Sequence, residues 1–136
     1  MTVIDSSAFL KYLMKEEGCQ NVRPWLQPEN NPYSVSLLLA ETGNVLWKYQ
    51  RNGIITSDQA TGLYTKVLMI CKQNVITIEP NEQYGPEALH LAIELGHSFY
   101  DLLFVSQAMV RDETLITSDE RQAQIAEKCD IRVVRV

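Results

Sequence analysis

Short apolar runs, each separated from the next by a longer stretch with helical spacing, constrain this chain most. Residues 2–5, 33–36, 75–78, 115–117 and 131–136 read as strands. Their apolar residues are continuous rather than alternating, which marks strands covered on both faces. Helical patterns fill the intervals. They run over about 7–16, with Phe9, Leu10 and Leu13 as the buried stripe, over a short piece near 21–26, and over 37–51, stopped by Asn52-Gly53. Another starts at Thr56 or Ser57 and carries Leu63, Val67 and Ile70, and further ones cover 86–95, 100–110 and 120–128. Strands alternating with helices predict an α/β fold around a mostly parallel sheet of about five strands.

At 136 residues, without a repeat or a Gly/Ser-rich linker, the chain is expected to be one domain spanning 1–136. No apolar run approaches the roughly 20 residues of a membrane span, and no secretory signal opens the chain, so no membrane partner is expected. Cys19, Cys71 and Cys129 are odd in number and lack metal-ligand spacing, which suits reduced thiols and a cytoplasmic location. The net charge of −5 argues against binding nucleic acid through bulk basicity. Bound cations would remove part of that charge.

Four acids stand inside or against apolar stretches: Asp5, Glu41, Asp101 and Asp119. An ionised carboxylate in such surroundings costs several kcal/mol unless it is compensated. No matching set of basic residues is embedded with them. A divalent cation is the economical compensation, since hard oxygen ligands from separate elements suit Mg²⁺ or Mn²⁺. Asp5 and Asp119 fall at the carboxyl ends of strands, where open α/β sheets keep their ligands. Glu41 and Asp101 are placed in the first turns of helices. Each acid also has a structural explanation. Asp5 and Asp119 can cap helices, with Gln122 completing a box; Asp101 stands at capping-box distance from Ser98; Glu41 could be partly exposed.

His90 and His97 are the only histidines, and neither has a recognisable Ser or Cys partner, so a nucleophilic triad is not expected. No glycine-rich phosphate loop is present. Val3–Ser7 has some likeness to an aspartyl-phosphate site, but the second Asp of that chemistry is replaced by Ser7.

The segments Val3–Ala8, Glu41–Trp47, Tyr100-Asp101 and Leu115–Asp119 together resemble the PIN-domain family, specifically the VapC-type toxin ribonucleases. Leu91-Ala92 before Gly96, and Ala126 after Asp119, fit the same pattern, so the resemblance covers essentially the whole chain. It implies a three-layer α/β/α sandwich and a metal-dependent endoribonuclease, with Asp5, Glu41, Asp101 and Asp119 as the catalytic acids. Asp5, Asp101 and Asp119 would hold one or two Mg²⁺ or Mn²⁺ ions directly or through water, and Glu41 would be an outer ligand or water positioner. Ser7 and Thr117 match the family's hydroxyl positions and would position substrate. Glu120 is expected to face solvent or the groove rim. Gly43 departs from a good helix former within the Glu41 helix.

The implied partners are an RNA substrate, a cognate antitoxin protein and a second copy of the chain in a homodimer. The stripe Leu63, Val67, Ile70 is the candidate dimer contact, with core packing as the alternative. Lys11 and Lys15, one helical turn apart, and Arg23 and Arg121 are candidates to touch backbone phosphates. Two other functions stand beside this one: a catalytically silent PIN-like module that binds RNA or protein, and a Mg²⁺-dependent phosphatase using Asp5 as nucleophile.

Overall fold

A computed structural model describes all residues, Met1–Val136. Five parallel strands, β1 (Thr2–Ile4), β2 (Pro32–Val35), β3 (Thr77–Glu79), β4 (Thr114–Thr117) and β5 (Val133–Arg135), form one sheet in the order β3-β2-β1-β4-β5. Six helices connect them: α1 (Ser6–Leu13), α2 (Leu37–Arg51), α3 (Ser57–Lys72), α4 (Gly85–Leu95), α5 (Phe99–Arg111) and α6 (Glu120–Lys128). The chain steps leftward from β1 to β3 and then returns to β4 and β5. Right-handed crossovers therefore place α1–α3 on one face and α4–α6 on the other. The packing agrees: α2 lies on α1 and α3, and α5 lies on α4 and α6. The result is the expected α/β/α sandwich, with β1 and β4 flanking the point where strand order reverses.

The core follows from the apolar runs. Val3, Ile4, Val35, Leu115 and Ile116 of the sheet are buried against Phe9, Leu38, Leu102, Leu103 and Val105 of the two helical layers. In α3, Val67 is fully buried, and Leu63 and Ile70 pack against the same core. That stripe is turned inward, as the core alternative has it. No helix is long and apolar enough to cross a membrane.

Several boundaries differ from those read in the sequence, and most have one cause. The first helix ends at Leu13 rather than near residue 16, because Lys15 takes a left-handed conformation at φ 52°. β3 begins at Thr77 rather than 75; Asn74 is left-handed, and the Val75 N–H bonds back to the Ile70 carbonyl, closing the end of α3. The start of β5 is delayed the same way, with Asp130 left-handed and the Ile131 N–H on the Ala126 carbonyl. Such helix ends usually carry glycine; here Lys, Asn and Asp take the position, so no glycine announces them. The segment near 21–26 forms 3-10 turns at Cys19–Asn21 and Arg23–Leu26, followed by a third at Pro28–Asn30.

Candidate functional site

The site is built on the carboxyl edge of β1 and β4. Asp5 follows β1 directly and caps α1, accepting from the Ala8 N–H at 3.0 Å. Its carboxyl is 3% exposed and fully engaged. Ser7 Oγ donates to Oδ1 at 2.7 Å, and Thr117 Oγ1 donates to Oδ2. The two hydroxyls also tie the strand ends together: Ser7 Oγ accepts from the Ser118 N–H at 2.9 Å, and Thr117 Oγ1 from the Asp119 N–H at 3.1 Å. Ser7 and Thr117 thus fix Asp5 and the turn after β4.

Asp119 caps α6 through the Arg121 and Gln122 N–H groups. The Gln122 side chain does not complete a box. Its Nε2 donates instead to the Asp101 carbonyl at 3.0 Å, tying α6 to the first turn of α5. Ser98 caps α5 through the Tyr100 N–H, so Asp101 is in the first turn but is not a capping-box partner. No hydrogen bond within the chain holds its carboxylate.

Glu41 corrects one expectation. α2 starts at Leu37, so Glu41 stands in the second turn, not the first. The start of that helix is capped from elsewhere in the chain: Asn81 Oδ1 accepts from the Leu37 N–H at 2.8 Å. Glu41 Oε1 in turn accepts from Ser6 Oγ at 2.8 Å.

All four acids line one cleft of about 590 Å³. Asp5 and Asp119 come from the sheet edge, Glu41 from the helical layer on one side and Asp101 from the layer on the other. Burial pushes the Asp5 carboxyl up to about 6, against hydrogen bonds from Thr117, Ala8 and Ser7, and Asp119 adds to the rise. Burial also raises Glu41, offset in part by Ser6 and reinforced by Asp101. Asp101 is raised by burial and by Asp119, and relieved by Arg121 and His97. These couplings link the four carboxylates in one chain of repulsion. The first relief is Arg121, just outside the cleft, whose Nη2 donates to His97 Nδ1 at 3.2 Å. A guanidinium cannot accept, so this bond assigns the His97 proton to Nε2.

The donor set fits a hard divalent cation: four carboxylates, no thiol and no imidazole line the cleft. Gln122 lines it too, and its Oε1 is buried without a partner, an acceptor suited to a metal-bound water. As placed, no three acid, His or Cys groups of the chain are drawn close enough to hold one ion together. The donor chemistry fits such an ion, while the four carboxylates stand too far apart in this structure for three of them to share it.

Residues missed by the sequence reading complete the cleft: Ser6 beneath Glu41, Asn44 and Lys48 further along α2, Tyr100 beside Asp101, and Gln122 in its role as a tie. Asn44 and Lys48 were detectable, since they follow Glu41 by three and seven residues on one helix face. Of the basic residues expected to touch phosphates, Arg121 stands just outside the cleft, close enough to act on Asp101. Lys15 lies past the end of α1, shares no helix face with Lys11, and lines a separate groove with Leu13 and Leu63. Lys11, Arg23 and Arg121 do not line the acid cleft. Glu120 is exposed and paired with Arg135 at 2.8 Å, away from the acids.

Comparison with known proteins agrees with this architecture. Ribonuclease VapC3 from Pyrobaculum aerophilum is 25% identical over 126 residues, covering 93% of this chain and 92% of that protein. Among solved structures, PAE2754 from Pyrobaculum aerophilum superposes with a TM-score of 0.73 at 22% identity, covering 97% of this chain and 81% of that one. VapBC2 from Rickettsia felis, solved with a DNA fragment from its promoter, gives 0.69 at 15% identity, covering 99% and 98%. FitAcB from Neisseria gonorrhoeae gives 0.60 at 15% identity, covering 99% and 97%. The sequence pattern of the PIN domain matches residues 2–128, and the chain belongs to the PIN-domain family.

Proposed function

We propose that this protein is a metal-dependent endoribonuclease of the VapC type, the toxin of a toxin–antitoxin pair, which hydrolyses RNA phosphodiester bonds. The observation that carries the reading is the cleft itself. Four carboxylates from four separate elements line one cleft where the strand order reverses, and burial raises each of Asp5, Glu41 and Asp101 above its ordinary value. Such a site is short of positive charge. Similarity to Ribonuclease VapC3 supports RNA as the substrate, and similarity to VapBC2 supports an antitoxin partner.

Asp5, Asp101 and Asp119 would hold one or two Mg²⁺ or Mn²⁺ ions, and Glu41 would act as an outer ligand. The bound ion supplies an acidified water and offsets charge on the phosphate. The chain's own part is preorganisation. Ser7, Thr117 and the Ala8 N–H fix both oxygens of Asp5, so its carboxylate loses little freedom when a cation arrives. Gln122 holds the start of α5 against α6 and thereby sets the distance between Asp101 and Asp119. Ser6 orients Glu41. The phosphatase alternative lacks the second Asp two residues after Asp5, where Ser7 stands and donates to Asp5 Oδ1.

An antitoxin that placed an Arg or Lys among the carboxylates would replace the cation's charge, so inhibition and metal binding compete in this reading. A homodimer belongs to the same proposal. In the Leu63–Val67–Ile70 stripe, the candidate contact, Val67 is committed to the core while Leu63 and Ile70 are only partly buried against it. Purified protein incubated with mixed structured RNAs tests the reading: cleavage with Mg²⁺ or Mn²⁺, none in EDTA, and none by Asp101→Asn. A wild type that cleaves no RNA with either metal would leave the silent binding module as the better account.

A further inference from the structure

The two walls of the cleft carry different chemistry. On α2, Glu41, Asn44, Val45 and Lys48 all line it, a stripe that leaves the acids and runs toward the helix C-terminus. Lys48 is exposed, makes no ion pair, and stands seven residues beyond Glu41, about 10 Å along the axis. At that separation it addresses a different group of the substrate from the one the acids address. Asn44 is exposed between them, and its amide makes no hydrogen bond within the chain.

The facing wall, from α5, is aromatic. Tyr100 adjoins Asp101, lines the cleft and is 61% exposed. Phe99, itself 37% exposed, meets the Tyr100 ring edge-on at 6.2 Å between centroids and 66° between planes. The Ser98 cap fixes the backbone at Tyr100, while its hydroxyl has no partner in the chain. A braced ring with free surface, set beside a catalytic-type carboxylate and opposite a free cation, matches the two needs of a nucleotide: a stacking surface for its base and a positive charge for its phosphate.

We propose that Tyr100 is the platform for an unstacked base next to the scissile bond, and that Lys48, with Asn44, holds a neighbouring phosphate across the cleft. The inference rests on the ribonuclease reading and adds the residues that position the strand. A base can lie on Tyr100 only when it is out of a duplex, so an unpaired segment is the form of RNA this arrangement accepts.

Cleavage kinetics on a short single-stranded RNA with Mn²⁺, across a range of salt concentrations, test it with the full chain. Tyr100→Ala should lower kcat/KM on the order of tenfold to a hundredfold, while Tyr100→Phe, which keeps the ring, stays within about threefold. Lys48→Gln should flatten the slope of log(kcat/KM) against log salt by roughly 0.7, the share of one phosphate on a single strand. Both residues are exposed, so melting temperature and Mn²⁺ affinity should match the wild type in each variant. Tyr100→Ala cleaving like the wild type, or an unchanged salt slope in Lys48→Gln, would overturn this assignment and leave the ribonuclease reading standing. Failure of the wild type to cleave any RNA would overturn both.

Discussion

Two carboxylates of this protein sit in confined places and are treated in opposite ways. Glu79, at the end of β3, is surrounded by donors from its own chain: the Tyr84 hydroxyl at 2.6 Å, Gln107 Nε2 at 2.9 Å, Gln83 Nε2 at 3.2 Å and Arg111 Nη1 at 3.4 Å. Arg111 is held in turn over the Tyr33 ring at 3.6 Å. Burial works against the Glu79 charge, but the hydrogen bonds and the guanidinium outweigh it, and its carboxyl falls below the ordinary value. Asp5 has two hydroxyls and one N–H, no cation, and another acid nearby, and it rises to about 6. One site brings its own counter-charge. The other leaves that charge to come from outside, which is the physical mark of a binding site rather than a structural pin.

The sharpest break in the comparison is catalytic. Asp101→Asn and Asp5→Asn should lower RNA cleavage by at least about 100-fold, equivalent to about 3 kcal/mol of barrier, whereas Glu79→Gln should cleave at a normal rate at temperatures where it remains folded. Initial rates on one RNA decide it, and loss of activity equal to that of Asp101→Asn in folded Glu79→Gln would erase the distinction.

Stability should separate the same residues in the other direction. Glu79→Ala leaves Arg111 without its partner and takes the acceptor from three further donors, Tyr84, Gln107 and Gln83, and should cost about 3–5 kcal/mol in urea unfolding. A loss under ~1 kcal/mol would show that the Glu79 network contributes little.

The pH dependence then refines the contrast, and the two signs differ. Asp5 has a folded value near 6 against 3.8 unfolded. Its favourable contribution is fully present below 3.8 and is lost as pH rises through 6, on the order of 3 kcal/mol without metal. Glu79, depressed on folding, contributes stability above its unfolded value of 4.5 that is lost as pH falls through its lower folded value. Subtracting the Asp5→Asn unfolding curve from that of the wild type in EDTA, from pH 4 to pH 7, should therefore give a difference that grows more unfavourable to the wild type with rising pH.

The smallest effect belongs to the hydroxyls. Thr117→Val removes one donor to Asp5 and the acceptor of the Asp119 N–H, and should cost about 1–2 kcal/mol at pH 7. Urea unfolding at pH 7 checks this, and an unchanged midpoint would mean that Thr117 does not hold Asp5.

Much of this arrangement was readable from the chain. The strand and helix order, the sheet type and the placing of Asp5 and Asp119 at strand ends follow from apolar continuity and strand–helix alternation. The departures from pattern have physical causes. Lys15, Asn74 and Asp130 end or follow helices in the left-handed conformation without glycine, so the boundaries beside them moved. The start of α2 at Leu37 was legible, and with it Glu41, the fifth residue of the helix, belongs to the second turn; what no local signal announces is that the Leu37 N–H is capped by Asn81, 44 residues away. Gln122 looked like a local capping partner, yet its side chain reaches α5. Tyr100 stood in the motif beside Asp101, but only the folded helix shows that its ring is left outside the core. Long-range partners and side-chain exposure are set by tertiary packing, which pattern and propensity do not encode.

The central claim is that the cleft lacks a charge that a divalent cation supplies. Thermal melting of the wild type and Asp5→Asn, each in EDTA and in Mn²⁺ at pH 7, tests it most directly. Without metal, Asp5→Asn should melt at or above the wild type, because the substitution removes a buried, uncompensated charge. With Mn²⁺ the order should invert, since only the wild type has the full set of ligands to gain stability from binding. An Asp5→Asn variant that melts well below the wild type in EDTA, with Mn²⁺ shifting neither protein, would contradict the account and make Asp5 a structural cap.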